Sequence, residues 1–478
     1  DRPHDGAVLD VPAGVVPRTA VCACCGAAHA ASAGTVKYAC CTMPGDASRR
    51  WWLVVAVAAA LTLRAILALA LPYDGGTDER RRYPVVAYLY RHGRVPRYGG
   101  AVPEAQGFTA RPVLPFRLAA WAAHGVPERL PRYVAFRLSA VLLSAATIAL
   151  AYGCSRYLWP KDWPLTAAAT AMVAFHPQFL YIGSYLNGDV YTIFANTAVF
   201  FVLCAVHRRG AQLHLLTAAA LGLALGLVFL GRQNGYVGFI LAFSYGLYLL
   251  RVNFRRNLGL LGVSLVAFLL FPTAFYLNQY RSLGIAYLPF VVGSGVAWVP
   301  PGVSVEQAYA QPALSQGLDY PVVRARWIDP VHWFLYLSAL FPSSFGVFGY
   351  MDVFLPSPLY SWYLVFLAGG AVGLAQWLRR RRRASAPHAA SRRWLLSSAA
   401  VAIAGLLLVV TYHNFVVLYQ PQGRYLLPMF VPSLFLLLLG WRQLSVQPAF
   451  HRAVTALAST FFILSGTYAT WLLLARSI

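Results

Sequence analysis

The sequence predicts an all-α, polytopic integral membrane protein of about eleven transmembrane helices with helical outer loops, and three observations lead there. Hydrophobic residues make up 59% of the 478 and charged residues 11%, too little polar surface to cover a soluble globule of that length. About eleven apolar stretches approach the ~20 residues that cross a ~30 Å hydrocarbon layer. Short runs of arginine occupy alternate connections, while carboxylates and polar aromatic clusters occupy the others, which is the positive-inside pattern. The formal charge of +24 is therefore no sign of a nucleic-acid partner: a nucleic-acid reader carries its basic residues on an aqueous domain, and none of adequate size is visible. Nearly all of the charge is arginine, with lysine only at Lys37 and Lys161, and its place beside the membrane also suits anionic lipid.

Residues 1–48 stand apart as a cytoplasmic extension that resembles neither a span nor a signal peptide. They hold five of the seven cysteines, Cys22, Cys24, Cys25, Cys40 and Cys41, with His29 between. A zinc site wants paired ligands in both halves, which the adjacent Cys40-Cys41 does not supply, so reduced and unstructured thiols are expected. Residues 49–478 read as one transmembrane domain. Arg49 and Arg50 precede the first apolar run at 51–71 and put the amino terminus in the cytoplasm. Further spans read at 133–154, 165–185, 190–206, 213–230, 236–250 and 258–277. Cys154 and Cys204 fall in apolar segments and suit packing as small hydrophobes. A solvated, arginine-rich cytoplasmic linker at 379–393 forces the stretch 359–378 to run inward. The segment 331–350, with Pro342 and several glycines, then fits an interfacial or partly inserted element. Spans at 395–411, 426–439 and 454–474 leave the carboxyl terminus outside. Two outer loops, 73–132 and 280–330, are long enough to fold.

The candidate chemistry lies on the outer face. Asp74, Asp78 and Glu79 crowd three carboxylates just past the first span, followed at once by Arg80, Arg81 and Arg82. One reading is a general base with a neighbouring acid, the other a solvated helix start; the cost of carboxylates at a membrane boundary favours the first. Asn187-Gly188-Asp189 opens the next inward span, where Asp189 reads equally as a ligand group or part of a helix cap. Arg232, after the fifth span, suits either clamping a phosphate or reaching toward headgroups. The aromatic and glycine-rich run from Phe341 to Asp352 suits a groove for lipid or sugar. Gln422-Gly423-Arg424-Tyr425 puts an arginine at the mouth of a span, where it needs an anionic partner.

In their order and common sidedness these motifs resemble the GT-C superfamily of multi-span glycosyltransferases. The features that carry the likeness are Asp78-Glu79 after the first span, Asn187-Gly188-Asp189 after a proline-containing span, a basic residue after the glycine-rich fifth span, and Gln422-Gly423-Arg424-Tyr425 with Pro428 beyond. The family 39 type, which includes protein O-mannosyltransferases and lipid A aminoarabinose transferases, is the nearest in pattern; the segment from Ser344-Phe345-Gly346 to Met351-Asp352 looks like a related bacterial group. The resemblance spans residues 51–474 and implies transfer of a sugar from a polyprenyl-phosphate donor to a glycan, lipid or protein acceptor on the outer face, with inversion. Asp78 matches the base, with Glu79 beside it, and Arg232, Arg424 and Arg281 would neutralise the departing phosphate. Many relatives carry a histidine shortly after the acidic pair where this chain reads Arg80-Arg81-Arg82-Tyr83, and Ala110-Arg111-Pro112 matches the usual His-Pro-Pro run only loosely. Arginine is not a metal ligand, so a site without metal or other cofactor is expected.

Two other classes remain in view. A transporter places its ionisable residues near the bilayer midplane and shows repeat symmetry, whereas these motifs sit at the outer boundary. A non-catalytic scaffold subunit would keep the fold without the reaction. The preference for arginine over lysine, with abundant alanine, suits a GC-rich bacterial genome and a plasma-membrane location.

Overall fold

The computed structural model describes residues 46–94, 113–283, 326–380, 387–417 and 419–477. The cysteine-bearing extension, Arg111 with Pro112, most of the second outer loop and the Arg381–Arg383 run lie outside the described residues. The chain divides into two units at Arg49 and Arg50, and the elements below belong to the second apart from the first turn of α1.

Among the described residues nine helices are long and apolar enough to cross a membrane, fewer than the eleven stretches expected from the sequence. The chain runs through α1 (Asp46–Ala70), α2 (Glu79–His92), α3 (Leu114–His124), α4 (Arg132–Leu158), α5 (Trp163–Phe175), α6 (Pro177–Ile182), α7 (Asp189–Arg208), α8 (Leu215–Phe229), α9 (Val237–Val252) and α10 (Phe254–Leu283). It continues through α11 (Pro330–Phe345), α12 (Ser357–Arg380), α13 (Pro387–Tyr412), α14 (Phe430–Gln443) and α15 (Pro448–Ser477).

The difference in count has two local causes. The stretch at 165–185 is split at Pro177, which has no N–H to give and holds His176 extended at φ −60°, ψ 119°, so two short helices replace one span. The stretch at 213–230 becomes the 15-residue α8, which at 1.5 Å per residue is about 22 Å long. The segment 331–350, expected to be interfacial, is α11 followed by a small hairpin. Its strands β1 (Val347–Phe348) and β2 (Val353–Phe354) pair antiparallel, with Val347 opposite Phe354, and are the one departure from an all-α fold among the described residues.

Burial sorts the helices into centre and rim. The spans Asp189–Arg208 and Gly423–Gln443 are each 78% buried, whereas Phe254–Leu277 is 11% buried, so α7 and α14 form the axis and α10 an apolar outer wall. Packing between α12 and α14 depends on backbone approach: a Cβ on Gly373 or Gly440 would strike the carbonyl of the facing glycine, Gly440 or Gly370. The first outer loop is helical as expected. There Val85, Val86 and Leu89 of α2, Phe116 and Ala119 of α3, and Ala135 and Phe136 of α4 make a separate apolar core that anchors the loop to the bundle.

At the end of the bundle away from that loop, Asp162 accepts from Leu165 N, capping α5, and pairs with Arg442 at 2.7 Å. Ser391 Oγ lies 2.9 Å from His207 Nδ1 and 2.8 Å from the Tyr245 hydroxyl. Arg251 lies over the Trp394 ring, which stacks on Tyr248.

Candidate active site

The site is built on the loop between α1 and α2. Gly76 packs against the Tyr185 ring so closely that a Cβ would overlap it, and the Tyr181 hydroxyl donates to Gly75 O at 2.8 Å. Asp74 and Asp78 both adopt left-handed backbone, φ 67° and 63°, which aspartate tolerates better than most residues. That geometry leaves the Asp78 side chain free of the usual capping bond to α2.

Arg137, in the apolar body of α4, fixes the loop from below. Its Nε and Nη2 donate to the two carboxylate oxygens of Glu79 at 2.8 and 2.6 Å. Its remaining protons reach the carbonyls of Ala68, Leu71 and Pro72 at 2.7–2.9 Å, so one guanidinium satisfies the end of α1 and the start of α2 together. Glu79 also accepts from Leu186 N at 3.2 Å and is fully buried. Its carboxylate is spent on holding the loop and does not reach the cavity wall.

Asp78 does reach it. Its Oδ2 accepts from Arg82 Nη2 at 3.3 Å and from Arg424 Nη2 at 3.2 Å, while about a third of the side chain, 32%, stays accessible. Arg82 is held in turn by the carbonyls of Thr77 and Leu186 at 3.2 and 3.3 Å. Arg424 comes from the 3-10 turn Gly423–Met429 that leads into α14. Gly423 lets that turn close on Ser344, where any Cβ would collide, and donates its N–H to Ser343 Oγ at 2.7 Å. The Nε and Nη1 of Arg424 are buried with no partner.

Behind Arg424 lies a second acid. Asp189, the first residue of α7, pairs through Oδ1 with Arg232 Nη1, while its buried Oδ2 has no partner among the described residues. Asn187 caps the helix: its Oδ1 accepts from the N–H of Asp189 and Val190 at 2.8 and 3.0 Å. The Tyr425 ring lies under both Arg232 and Arg424, at 5.5 and 5.4 Å. Asn234 donates to Tyr425 O at 3.1 Å and ties the α8–α9 turn to the same place.

Between these walls is a cavity of about 760 Å³. Asp74, Thr77, Asp78, Arg80 and Arg81 line one side and Gln420, Gln422, Arg424 and Tyr425 the other, with Tyr350 of the hairpin at the mouth. Tyr350 donates its hydroxyl to Asp74 Oδ1 at 2.8 Å. Burial, and then that bond, push its phenol up to about 12. Thr77 Oγ1 donates to Gly349 O at 2.6 Å, so the hairpin docks directly on the α1–α2 loop.

The structure thus brings together Asp74, Asp78, Gln422, Arg424 and Tyr425, with Asp189 and Arg232 one layer behind. It sets three other candidates apart from the cavity: Glu79 under the loop, Asn187 as a helix cap, and Asp352 in the hairpin turn, where it accepts from Tyr350 N at 2.9 Å. Arg281 lies near the end of α10, its side chain outside the described residues. Sequence reasoning passed over Arg137, took Tyr350 only as part of the aromatic run from Phe341 to Asp352, and read Arg80–Arg82 only as counter-charge. Arg137 did carry a signal, since an arginine inside an apolar helix needs a carboxylate or carbonyl partner. Among the described residues no three of His, Cys, Asp and Glu gather as a metal-binding group.

Residues 121–285, from within α3 to just past α10, match the family model described as dolichyl-phosphate-mannose-protein mannosyltransferase. The match contains the Asn187–Asp189 and Arg232 motifs, and the GT-C resemblance read from the sequence is borne out. Among solved structures the chain is similar to the oligosaccharyltransferase AglB from Archaeoglobus fulgidus, in complex with an inhibitory peptide and a dolichol-phosphate. That likeness has 14% identity and a TM-score of 0.49 over 90% of this chain and 56% of the archaeal one. The chain therefore spans little more than half of that protein's length. It is also similar to ArnT from Cupriavidus metallidurans bound to undecaprenyl phosphate, at 15% identity and a TM-score of 0.44 over 89% of this chain and 74% of that one. No curated protein matches the chain.

Proposed function

We propose that this GT-C chain is a membrane glycosyltransferase that moves a sugar from a polyprenyl-phosphate donor to a hydroxyl or amine of a glycan, lipid or protein acceptor on the outer face, with inversion. The observation that carries the reading is the setting of Asp78: a carboxylate at the cavity wall, gripped on one oxygen by Arg82 and Arg424, with two further nitrogens of Arg424 lacking a hydrogen-bond partner. The arginine-bearing connections at the far end of the bundle support the outer placement, with the amino terminus cytoplasmic and the carboxyl terminus outside.

In this mechanism the acceptor proton passes to Asp78 as its oxygen or nitrogen attacks the anomeric carbon. The bond from that carbon to the phosphate oxygen breaks with its electron pair, and polyprenyl phosphate departs from the opposite side. The charges suit the step. Before reaction Arg82, Arg232 and Arg424 face Asp78 and Asp189, three positive charges against two negative, which matches the single charge of a phosphodiester. Once Asp78 is protonated the same guanidiniums exceed Asp189 alone by two, which matches the charge that the leaving phosphate acquires. Stabilisation therefore grows as the bond breaks, which is what lowers a barrier. No nucleotide is needed, since lipid phosphate leaves readily when its charge is met.

The test is transfer from radiolabelled polyprenyl-phosphate sugars to a membrane extract by purified protein, wild type against Asp78→Asn. Loss of a general base costs about 10²- to 10⁴-fold. Equal transfer by both would move the base elsewhere, and absence of transfer with every donor would favour the scaffold reading.

A further inference from the structure

Five arginines surround the cavity and its second layer, Arg80, Arg81, Arg82, Arg232 and Arg424, against three aspartates, Asp74, Asp78 and Asp189. The reaction proposed above uses the inner three arginines. Arg80 and Arg81 are different in kind: they line the cavity, are exposed, and form no ion pair among the described residues. The acids beside them in the chain are taken, Glu79 by Arg137 and Asp78 by Arg82 and Arg424, and Asp74 is occupied otherwise. Its Oδ1 accepts from the backbone N–H of Arg80 at 3.0 Å and from the Tyr350 hydroxyl at 2.8 Å. The rim therefore keeps a net positive charge after a donor phosphate has satisfied the inner group.

Position adds to charge. Asp78 lies between the two groups, hydrogen-bonded to Arg424 on one side and preceding Arg80 and Arg81 on the first turn of α2 on the other. A donor phosphate drawn to the group of Arg82, Arg232 and Arg424 would place the anomeric carbon on the inner side of Asp78. The nucleophile has to approach from the side of the rim. Whatever brings it there passes within reach of two unpaired guanidinium forks, which bind planar or tetrahedral oxyanions through paired N–H donors.

We infer that Arg80 and Arg81 form an acceptor subsite for a phosphate group carried near the attacking hydroxyl or amine. The inference rests on the glycosyltransferase reading and deepens it by assigning the acceptor an anionic class. A neutral acceptor would leave both guanidiniums to solvent and gain nothing from them.

The experiment uses the full chain in neutral detergent and three probes: undecaprenyl phosphate, octyl glucoside, and octyl glucoside bearing a 6-phosphate, each measured by equilibrium binding. Wild type should bind the phosphorylated glucoside about tenfold or more tightly than the neutral one. In Arg80→Gln/Arg81→Gln that preference should fall to near unity, while Arg80→Lys/Arg81→Lys should keep a reduced part of it. Undecaprenyl phosphate binding to the Gln variant reports that the inner site is still folded. Undecaprenyl phosphate bound by wild type without any preference between the glucosides would overturn the subsite and leave the donor reading intact. Failure of wild type to bind undecaprenyl phosphate would instead count against the donor reading. Phosphatidylglycerol at equimolar concentration distinguishes an acceptor from a headgroup. If it displaces the phosphorylated glucoside, the rim arginines serve the lipid surface and the acceptor assignment falls.

Discussion

The two ends of the helical bundle use arginine in opposite ways. At the cavity end Arg137 and Arg424 are buried and locked to carboxylates, and Arg424 still has protons to give. At the other end Arg442 meets Asp162 with side chains 37% and 29% exposed, and Arg251 rests on an indole. Water and headgroups satisfy the second kind cheaply, so those residues contribute little to stability. The first kind cannot rely on water. A guanidinium kept there either holds a fold together or waits for an anion, and the cavity end contains one of each.

The largest effect should come from breaking the pair that holds the α1–α2 loop. Arg137→Ala strands the buried Glu79 carboxylate and three carbonyls, and removal of one partner from such a pair costs about 3–5 kcal/mol. A melting curve in detergent should show a large drop in Tm together with lost transfer. A variant that melts like wild type would mean that Glu79 and the loop are held by something else.

Arg424→Lys should be gentler on stability and harsh on chemistry. Lysine retains the charge toward Asp78 but not the planar fork that binds a phosphate through paired N–H donors. Undecaprenyl phosphate binding should weaken by about tenfold or more, and transfer should fall with it. An unchanged affinity would remove Arg424 from the donor site. Tyr350→Phe is a smaller change of the same wall. It removes one hydrogen bond to Asp74, worth about 0.5–1.5 kcal/mol before allowance for its exposure. With its phenol pushed up to about 12, Tyr350 keeps its proton through neutral and mildly alkaline pH, so the bond should not titrate there. A transfer profile that changed between wild type and Tyr350→Phe only above neutral pH would contradict that.

Much of this was legible in the sequence because membrane burial makes polar residues conspicuous. Asp78, Asp189, Arg232 and Arg424 stood out one by one as charges at the ends of apolar runs, and alternation of the arginine-bearing connections predicts that they meet. What the local pattern did not show is which carboxylate of a neighbouring pair faces the cavity; the choice of Asp78 rested on the resemblance alone. Asp78 and Glu79 are adjacent, and the choice turns on a left-handed residue at position 78 and on the reach of Arg137 from α4, 58 residues farther along. Local pattern contains neither. The span count differs for a related reason: the run at 165–185 is mostly apolar, and the backbone demand of Pro177 divides it.

The smallest expected effect is at the other end, and it is the sharpest check on the contrast. Asp162→Ala removes both the cap of α5 and the partner of Arg442. A lost cap costs about 0.5–2 kcal/mol and a half-exposed ion pair about 0–1 kcal/mol, so Tm should fall modestly. Added salt should shrink the ion-pair share of that difference and leave the cap share. Transfer per folded molecule should not change, because no residue of the cavity wall touches Asp162 or Arg442 among the described contacts. A loss of transfer comparable to that of Arg424→Lys would mean that the two ends are coupled through α14, which joins Arg442 to the turn that carries Arg424.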